Sequence, residues 1–342
     1  MKKGSLMNLA QRILPAFPGV VKHVPPPLKA VAIEPTNVCN LRCTICNSQC
    51  PSLYPVRKKG YMKWEEYKNI IDELAQLPHR ISLGLNFGGE GLIHPEFCKM
   101  LEYAASLKKF NLGFHTNGLL LNSEVISTIM KTQVDRISIS LDGLREKHEA
   151  IRVHSNFEKV EANIIHLLEA RNQHGSKLNL SVNLTVSNHT DQEIEEFINY
   201  WVKRVSQVCI YPYETEDLEI LQPENFFDQP TIQRNFCSNP FFYMAILWNG
   251  DVTTCCDDIA GRNFMGNVHK KGVRAIWKGK SYSQLRLAAL KKEFHPKSAC
   301  YKCDAWKKVF VENSRIIKGK DMKVTYSGLA KIYEHVSTVP AN

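Results

Sequence analysis

The sequence predicts an α/β protein: a partial (β/α)6 TIM-like barrel followed by a small α+β domain. Three observations carry this prediction. Six short apolar runs recur between residues 30 and 211, segments of helical period separate them, and the rhythm breaks after residue 215. At 342 residues the chain has room for one large domain and a smaller one. Its 44% hydrophobic and 23% charged residues suit a globular protein with a full core.

Residues 1–28 read as an appendage. A short amphipathic stretch, Leu6 to Leu14, runs into Pro15, Pro18 and Pro25-Pro26-Pro27, where proline cannot continue a helix and marks a linker. The apolar face of that stretch packs on its own domain or touches a membrane surface. The barrel then spans residues 29–220. Strands are expected at Ala30–Ile33, Ile81–Phe87, Asn111–His115, Arg136–Leu141, Asn179–Val186 and Val208–Tyr211. Helices are expected near Trp64–Gln76, Pro95–Lys108, Ser123–Lys131, Phe157–Asn172 and Asp191–Arg204. Side-chain oxygens at Asn122 or Ser123, Asn156, and Thr190 or Asp191 are placed to cap helix starts. Strands alternating with helices imply a parallel sheet with right-handed crossovers, and chemistry at the C-terminal strand ends.

Residues 221–310 form the second unit, opening on a polar, proline-marked linker at 222–235. Short strands are expected at Tyr243–Trp248 and Val252–Thr254, with one helix near Ser283–Lys292. The tail, 311–342, has weak apolar content and reads as a helix, a cover or a partly disordered end. No repeat of 20–50 residues is present.

No stretch reaches the roughly 18 apolar residues of a membrane span, so stable membrane insertion is not expected. The start lacks a secretory pattern, and a cytoplasmic protein is expected. The net charge of +10 is diffuse, with short clusters at Arg57-Lys58-Lys59, Lys270-Lys271 and Lys318 to Lys323. It reads as solvated surface with affinity for small anions rather than as a nucleic-acid interface. In a reducing compartment the eleven cysteines are not expected to pair as disulfides. Seven of them fall in two separated groups, the pattern of metal ligation.

The first group follows the first strand: Glu34-Pro35-Thr36-Asn37-Val38-Cys39-Asn40-Leu41-Arg42-Cys43-Thr44-Ile45-Cys46. Three thiolates on one loop wrap one face of a metal cluster. A four-iron cluster usually takes four cysteines, so three leave one iron open to a ligand. Cys50 as a fourth ligand, closing a redox or zinc site, is the alternative. Cys-x-x-x-Cys-x-x-Cys with Asn-Leu-Arg between the first two cysteines resembles the signature of the radical S-adenosylmethionine (SAM) superfamily. That resemblance implies a [4Fe-4S] cluster whose open iron holds SAM, an external electron donor such as a flavodoxin or ferredoxin, and a 5′-deoxyadenosyl radical as product. The family usually has an aromatic residue before the third cysteine, where this chain has Ile45.

Later strand ends match too. Phe87-Gly88-Gly89-Glu90 resembles the Gly-Gly-Glu loop that receives the SAM amino group; glycines admit close approach and a carboxylate suits an ammonium. Thr116-Asn117-Gly118 and Ser138-Ile139-Ser140-Leu141-Asp142-Gly143 end the third and fourth strands. By the resemblance, Asn117 lies near SAM, Ser140 contacts its ribose or carboxylate, Arg152 pairs with its carboxylate, and Asn183 is a further contact. Asp142 contacts SAM or only caps a turn.

Cys237, Cys255, Cys300 and Cys303 make the second group, separated by 17, 44 and 2 residues. With Gly250, Gly266-Asn267-Val268 and Trp277 they resemble the truncated SPASM, or twitch, domain, which implies one auxiliary [4Fe-4S] cluster with four thiolates and a role in electron transfer. Four cysteines also make a zinc ribbon, the alternative reading. Cys256 and Cys209 are core thiols or hydrogen-atom donors.

The resemblance implies a small polar substrate, a sugar or aminocyclitol alcohol, with dehydrogenation or epimerisation as the outcome. Oxidation needs a base, and Asp257, Asp258, Tyr213 and Glu214 lie nearby in sequence. A peptide substrate is the rival; the 28 residues before the barrel are short for a leader-binding domain. A nucleic-acid-modifying protein and a non-catalytic iron–sulfur or zinc protein are the readings from other classes.

Overall fold

The computed structural model describes residues 25–46, 48, 57–214, 220–221, 237–303, 314–317, 321–327 and 330–336. Cys50, the linker at 222–235 and most of the appendage at 1–28 lie outside the described residues. Strands β1 (Ala30–Ile33), β2 (Ile81–Leu85), β3 (Phe110–Thr116), β4 (Arg136–Ser140), β5 (Asn179–Val186) and β6 (Gln207–Glu214) pair in parallel, in sequence order. Alternation explains the arrangement. Ile33, Leu83, Leu85, Ile137, Ile139, Leu180, Val182 and Leu184 are wholly buried on one face, against the helices. The alternate positions Ala30, Ala32, Ser82 and Gly84 are small and line a cavity on the other.

The crossovers are α1 (Trp64–Ala75), α2 (Phe97–Ser106), α3 (Ser123–Thr132), α4 (Arg145–Ile151), α5 (Phe157–Gln173) and α6 (Asp191–Trp201). Asn122, Asn156 and Thr190 each accept a hydrogen bond from a first-turn backbone N–H, as the sequence predicts. The seven-residue α4 is too short to show a helical period, and the sequence reading passes over it.

Beyond the two-residue β7 (Ile220–Leu221), which pairs with β6, the second unit joins the same sheet. Its β8 (Tyr243–Ile246) lies parallel to β1, with Ala32 opposite Ala245, and β9 (Asp251–Thr253) and β10 (Gly266–Asn267) follow antiparallel. Helices α7 (Val268–Lys271), α8 (Val273–Trp277) and α9 (Lys280–Lys291) complete the unit. The Glu73 carboxylate of α1 accepts from Val273 N and Arg274 N, fixing the start of α8 on the barrel.

The tail differs from expectation. It holds β11 (Ser314–Ile317), β12 (Met322–Ser327) and β13 (Ala330–His335), an antiparallel meander whose last strand pairs with β6. Met322, Val324 and Ala330 are buried, so a sparse two-residue period suffices once an open sheet edge offers backbone partners. The sheet therefore runs β10-β9-β8-β1 through β6 to β13-β12-β11.

Candidate active site

The loop after β1 is held by its backbone. Arg42 N and Thr44 N donate to Val153 O and Ile151 O, and Glu90 N donates to Val38 O. This gathers Cys39, Cys43 and Cys46 on one wall of a cavity of about 300 Å³. Burial pushes the Cys43 thiol up to about 12 and raises Cys39 too, each opposed by the Arg152 guanidinium and reinforced by neighbouring thiols. Thiols that resist ionisation singly, crowded together, are a donor set that a shared cation relieves.

The same cavity is lined by Gly88, Gly89, Glu90, Asn117, Ser140 and Arg152. A Cβ on Gly89 would fall 2.5 Å from Thr36 O and 2.6 Å from Val38 O, so only glycine lets this loop close on the cysteine loop. Glu90 is buried, which raises its pKa, and it accepts from Thr116 Oγ1, Leu92 N and Asn117 N at 2.9, 3.2 and 2.7 Å. Arg152 pairs with Asp142 at 2.7 Å and points Nη1 at Cys43 Sγ, 3.9 Å away. Its buried Nε has no hydrogen-bond partner among the described residues, a free donor suited to a ligand carboxylate. Asp142 does more than cap a turn: it also accepts from Thr185 N at 2.7 Å.

A larger cavity, about 730 Å³, fills the barrel interior and shares Cys43, Cys46 and Arg152 with the first. Asn183 lines this one. Cys256 and Asp257 line it as well, beside Cys255; the ligand atoms of these three lie within 4.8 Å of one another. Around Cys255 the second cysteine group is tied by amides. Asn239 Nδ2 donates to Cys255 Sγ at 3.1 Å, linking it to the turn after Cys237. Asn263 Nδ2 donates to Cys300 Sγ at 3.3 Å while its Oδ1 accepts from Ser298 Oγ and Ala299 N. Cys300 and Cys303 share one turn, and all four thiols are half-buried without disulfides. Amide donors on two of these four sulfurs suit a cluster, as the three thiols on one cavity wall suit one in the first group.

Sequence comparison agrees. The profile of the radical SAM superfamily matches residues 33–200, and that of the SPASM iron-sulfur cluster-binding domain matches residues 237–304. The chain is a radical SAM protein with a C-terminal SPASM domain. Those domains bring SAM and two [4Fe-4S] clusters. The chain is 23% identical over 301 residues to the tungsten-containing aldehyde ferredoxin oxidoreductase cofactor-modifying protein of Pyrococcus furiosus, covering 76% of this chain and 83% of that one. It is 32% identical over 127 residues to the mycofactocin maturase MftC of Mycobacterium tuberculosis, covering 36% of this chain and 30% of that protein. Among solved structures, Streptococcus suis SuiB bound to its precursor peptide SuiA superposes with a TM-score of 0.64 at 14% identity, over 84% of this chain and 72% of SuiB. BtrN with AdoMet and 2-DOIA gives 0.55 at 17% identity, over 80% and 92%.

Within this radical SAM fold the two candidate hydrogen donors separate. Cys256 is exposed to the large cavity; Cys209 is buried on β6 outside its lining, with its thiol pushed up to about 12 by burial. Asp258 is buried in a turn, accepting from Thr253 Oγ1, Arg262 N and Asn263 N, so it supports the loop rather than facing the cavity. Tyr213 and Asp257 do line it; the Glu214 side chain lies outside the described residues. Sequence reasoning missed His115, Arg136, Asn239, Asn263 and the buried pair Glu34–Arg57. Of these only Asn239, two residues after a cysteine, carried a local signal.

Proposed function

We propose that this radical SAM protein oxidises a small polar substrate at a carbon bearing a hydroxyl, inside the barrel cavity. One observation carries the reading: the cavity wall includes Cys43 and Cys46 of the first group and Cys256 and Asp257 beside Cys255 of the second. A molecule filling it touches both ends of an electron path. When bound, the groups of the first site supply reductive cleavage of SAM to methionine and a hydrogen-abstracting 5′-deoxyadenosyl radical, at the expense of one electron from a flavodoxin- or ferredoxin-type donor.

Cys39, Cys43 and Cys46 hold the first cluster; Gly88, Gly89, Glu90, Asn117, Ser140 and Arg152 surround SAM, with Asn183 towards the substrate side. Cys237, Cys255, Cys300 and Cys303 hold the second cluster. Asp257 is placed to take the hydroxyl proton as the substrate carbon loses its hydrogen atom, and a cluster held by Cys237, Cys255, Cys300 and Cys303 would accept the remaining electron, giving a carbonyl. The exposed Cys256 thiol on the same wall favours a second outcome, return of a hydrogen atom from sulfur with inversion at carbon, the thiyl left behind being restored by one electron from the flavodoxin- or ferredoxin-type donor and one proton. Anaerobic turnover in deuterated water separates them. A carbonyl product supports oxidation; a recovered epimer carrying deuterium sinks it in favour of the thiol. A peptide side chain entering the cavity is the remaining rival, since SuiB and MftC share the fold or part of the sequence. Protease-resistant substrate activity in a source-cell extract speaks against it.

A further inference from the structure

We propose that the barrel cavity is built for a substrate bearing an oxyanion, a carboxylate or phosphate, held by Arg136 with His115 beside it. This rests on the cavity being the substrate site and adds the charge class of what enters.

Arg136 opens β4, level with Gly113 on β3, which is itself level with Gly84 on β2. A Cβ at Gly113 would fall 2.4 Å from Arg136 Cγ and 2.7 Å from Arg136 O. Glycine there lets the arginine stem lie across β3, and Nη2 reaches Ser82 Oγ on β2 at 2.6 Å. The guanidinium thus spans two strands under the cavity that Arg136 and Ser82 both line. Ser82 is its hydrogen-bond acceptor, and it makes no ion pair among the described residues. The adjacent Asp135 carboxylate is engaged by Leu112 N at 2.7 Å. The side chain is open to the cavity; burial lowers the pKa of Arg136, and the nearby Asp135 carboxylate opposes that shift.

His115 follows two residues after Gly113 on the same face of β3, and it lines both this cavity and the smaller one beside the cysteine loop. Its ring has no hydrogen-bond partner among the described residues. Surrounding protein, then Arg136, depress its pKa to about 4, so the ring is neutral near pH 7 and offers one donor and one acceptor. Of the other charges on the wall, Arg152 is paired with Asp142, and the Asp257 carboxylate lies at the far end, beside Cys255 and Cys256. An ammonium group at the Arg136 end would face the guanidinium charge directly. A planar oxyanion instead takes two parallel N–H bonds from guanidinium, the geometry arginine is suited to.

The test uses the full reconstituted chain with SAM and dithionite under anaerobic conditions. A small-molecule extract of source cells is split on an anion exchanger, and 5′-deoxyadenosine formed above the extract-free rate is measured. The retained fraction is expected to stimulate; phosphatase treatment abolishes the effect for a phosphate and spares it for a carboxylate. Arg136→Gln should raise the amount needed for half-maximal stimulation by about tenfold to a hundredfold, with Arg136→Lys between. A second readout needs no turnover: with SAM present throughout, diethyl pyrocarbonate labelling of His115, mapped by mass spectrometry, should fall further with the retained fraction and not with the unretained one. Stimulation by the unretained fraction, or by neither, overturns the inference even should Arg136→Gln fail to fold. Absence of 5′-deoxyadenosine under every condition removes the radical reading beneath it.

Discussion

The two cysteine groups are built on opposite plans. The first packs three thiols into eight residues, Cys39 to Cys46, and fixes them with backbone hydrogen bonds to the 151–153 segment and the Gly-Gly-Glu loop. The second spreads four thiols over residues 237–303 and fixes them with two asparagine amides. A compact loop carries its geometry with it. A dispersed set depends on the sheet that brings its pieces together, here through β8 on β1. The first plan suits a site that must leave room for a ligand, and the second a site saturated by protein.

The largest expected effect separates the plans chemically. Replacing Cys39, Cys43 and Cys46 with alanine should lower reconstituted iron from about eight to about four per chain and abolish 5′-deoxyadenosine. Replacing Cys255 and Cys300 should also lose iron, yet preserve extract-independent SAM cleavage while abolishing product. Equal loss of cleavage in both variants would falsify the division of labour.

A second way to break the comparison lies where the plans meet. Glu34, wholly buried, accepts from Arg57 twice, at 2.5 and 2.9 Å, from Gly88 N at 3.0 Å and from Trp248 N at 3.1 Å. One carboxylate therefore ties the SAM-facing loop to the strand end of the second unit, and Arg57 Nε reaches Ile259 O at 2.7 Å. Arg57→Met leaves a buried carboxylate short of its cation and should cost about 3–5 kcal/mol in chemical denaturation. Glu34→Gln with Arg57→Met should recover much of it. No recovery in the double variant would mean that the pair does not act as a unit.

Acid probes the barrel through a buried ring. The His148 ring is buried, with Nδ1 donating to Leu141 O and Nε2 accepting from Ser155 Oγ, on the helix whose end holds Thr44. Burial, helped by Arg152, depresses its pKa from 6.5 to about 4. The unfolded chain takes up the proton near 6.5 and the folded chain refuses it until about 4, so stability rises with pH across that window. Stability present at pH 7 is lost as pH falls, on the order of 3 kcal/mol by pH 4. His148→Gln should flatten the pH dependence of the melting temperature between 7 and 5. An unchanged slope would place the titrating group elsewhere.

What was legible in the sequence follows the same division. The strand-end motifs and three-cysteine loop are local, and Cys39, Cys43, Cys46, Gly88, Gly89, Glu90, Asn117 and Ser140 line one cavity, with Asn183 on the larger one. The six parallel strands were readable because Leu83 and Leu85, Ile137 and Ile139, and Leu180, Val182 and Leu184 each repeat on a period of two against a helix-covered face. The tail was not: β12 and β13 gain their partners from the edge of β6, information held far away in the chain. Arg136 and His115 were hidden for a related reason. Each sits within an apolar strand run, and only closure of the barrel turns their side of the strand into a cavity wall.

The smallest expected effect tests whether the asparagines of the second group tune as well as tie. An amide N–H aimed at sulfur stabilises the more negative, reduced cluster, and so raises its potential. Asn263→Ala removes one such donor from Cys300 and also frees Ser298 Oγ and Ala299 N, so its effect mixes tuning with loosening of the turn. Asn239→Ala is cleaner, because its amide nitrogen meets Cys255 Sγ at 3.1 Å. Redox titration followed by electron paramagnetic resonance should show the auxiliary signal moving to a more negative potential in Asn239→Ala, with the SAM-site signal unmoved. A shift of both signals together would show that the second group is not insulated from the first, and that the sheet joining them transmits more than position.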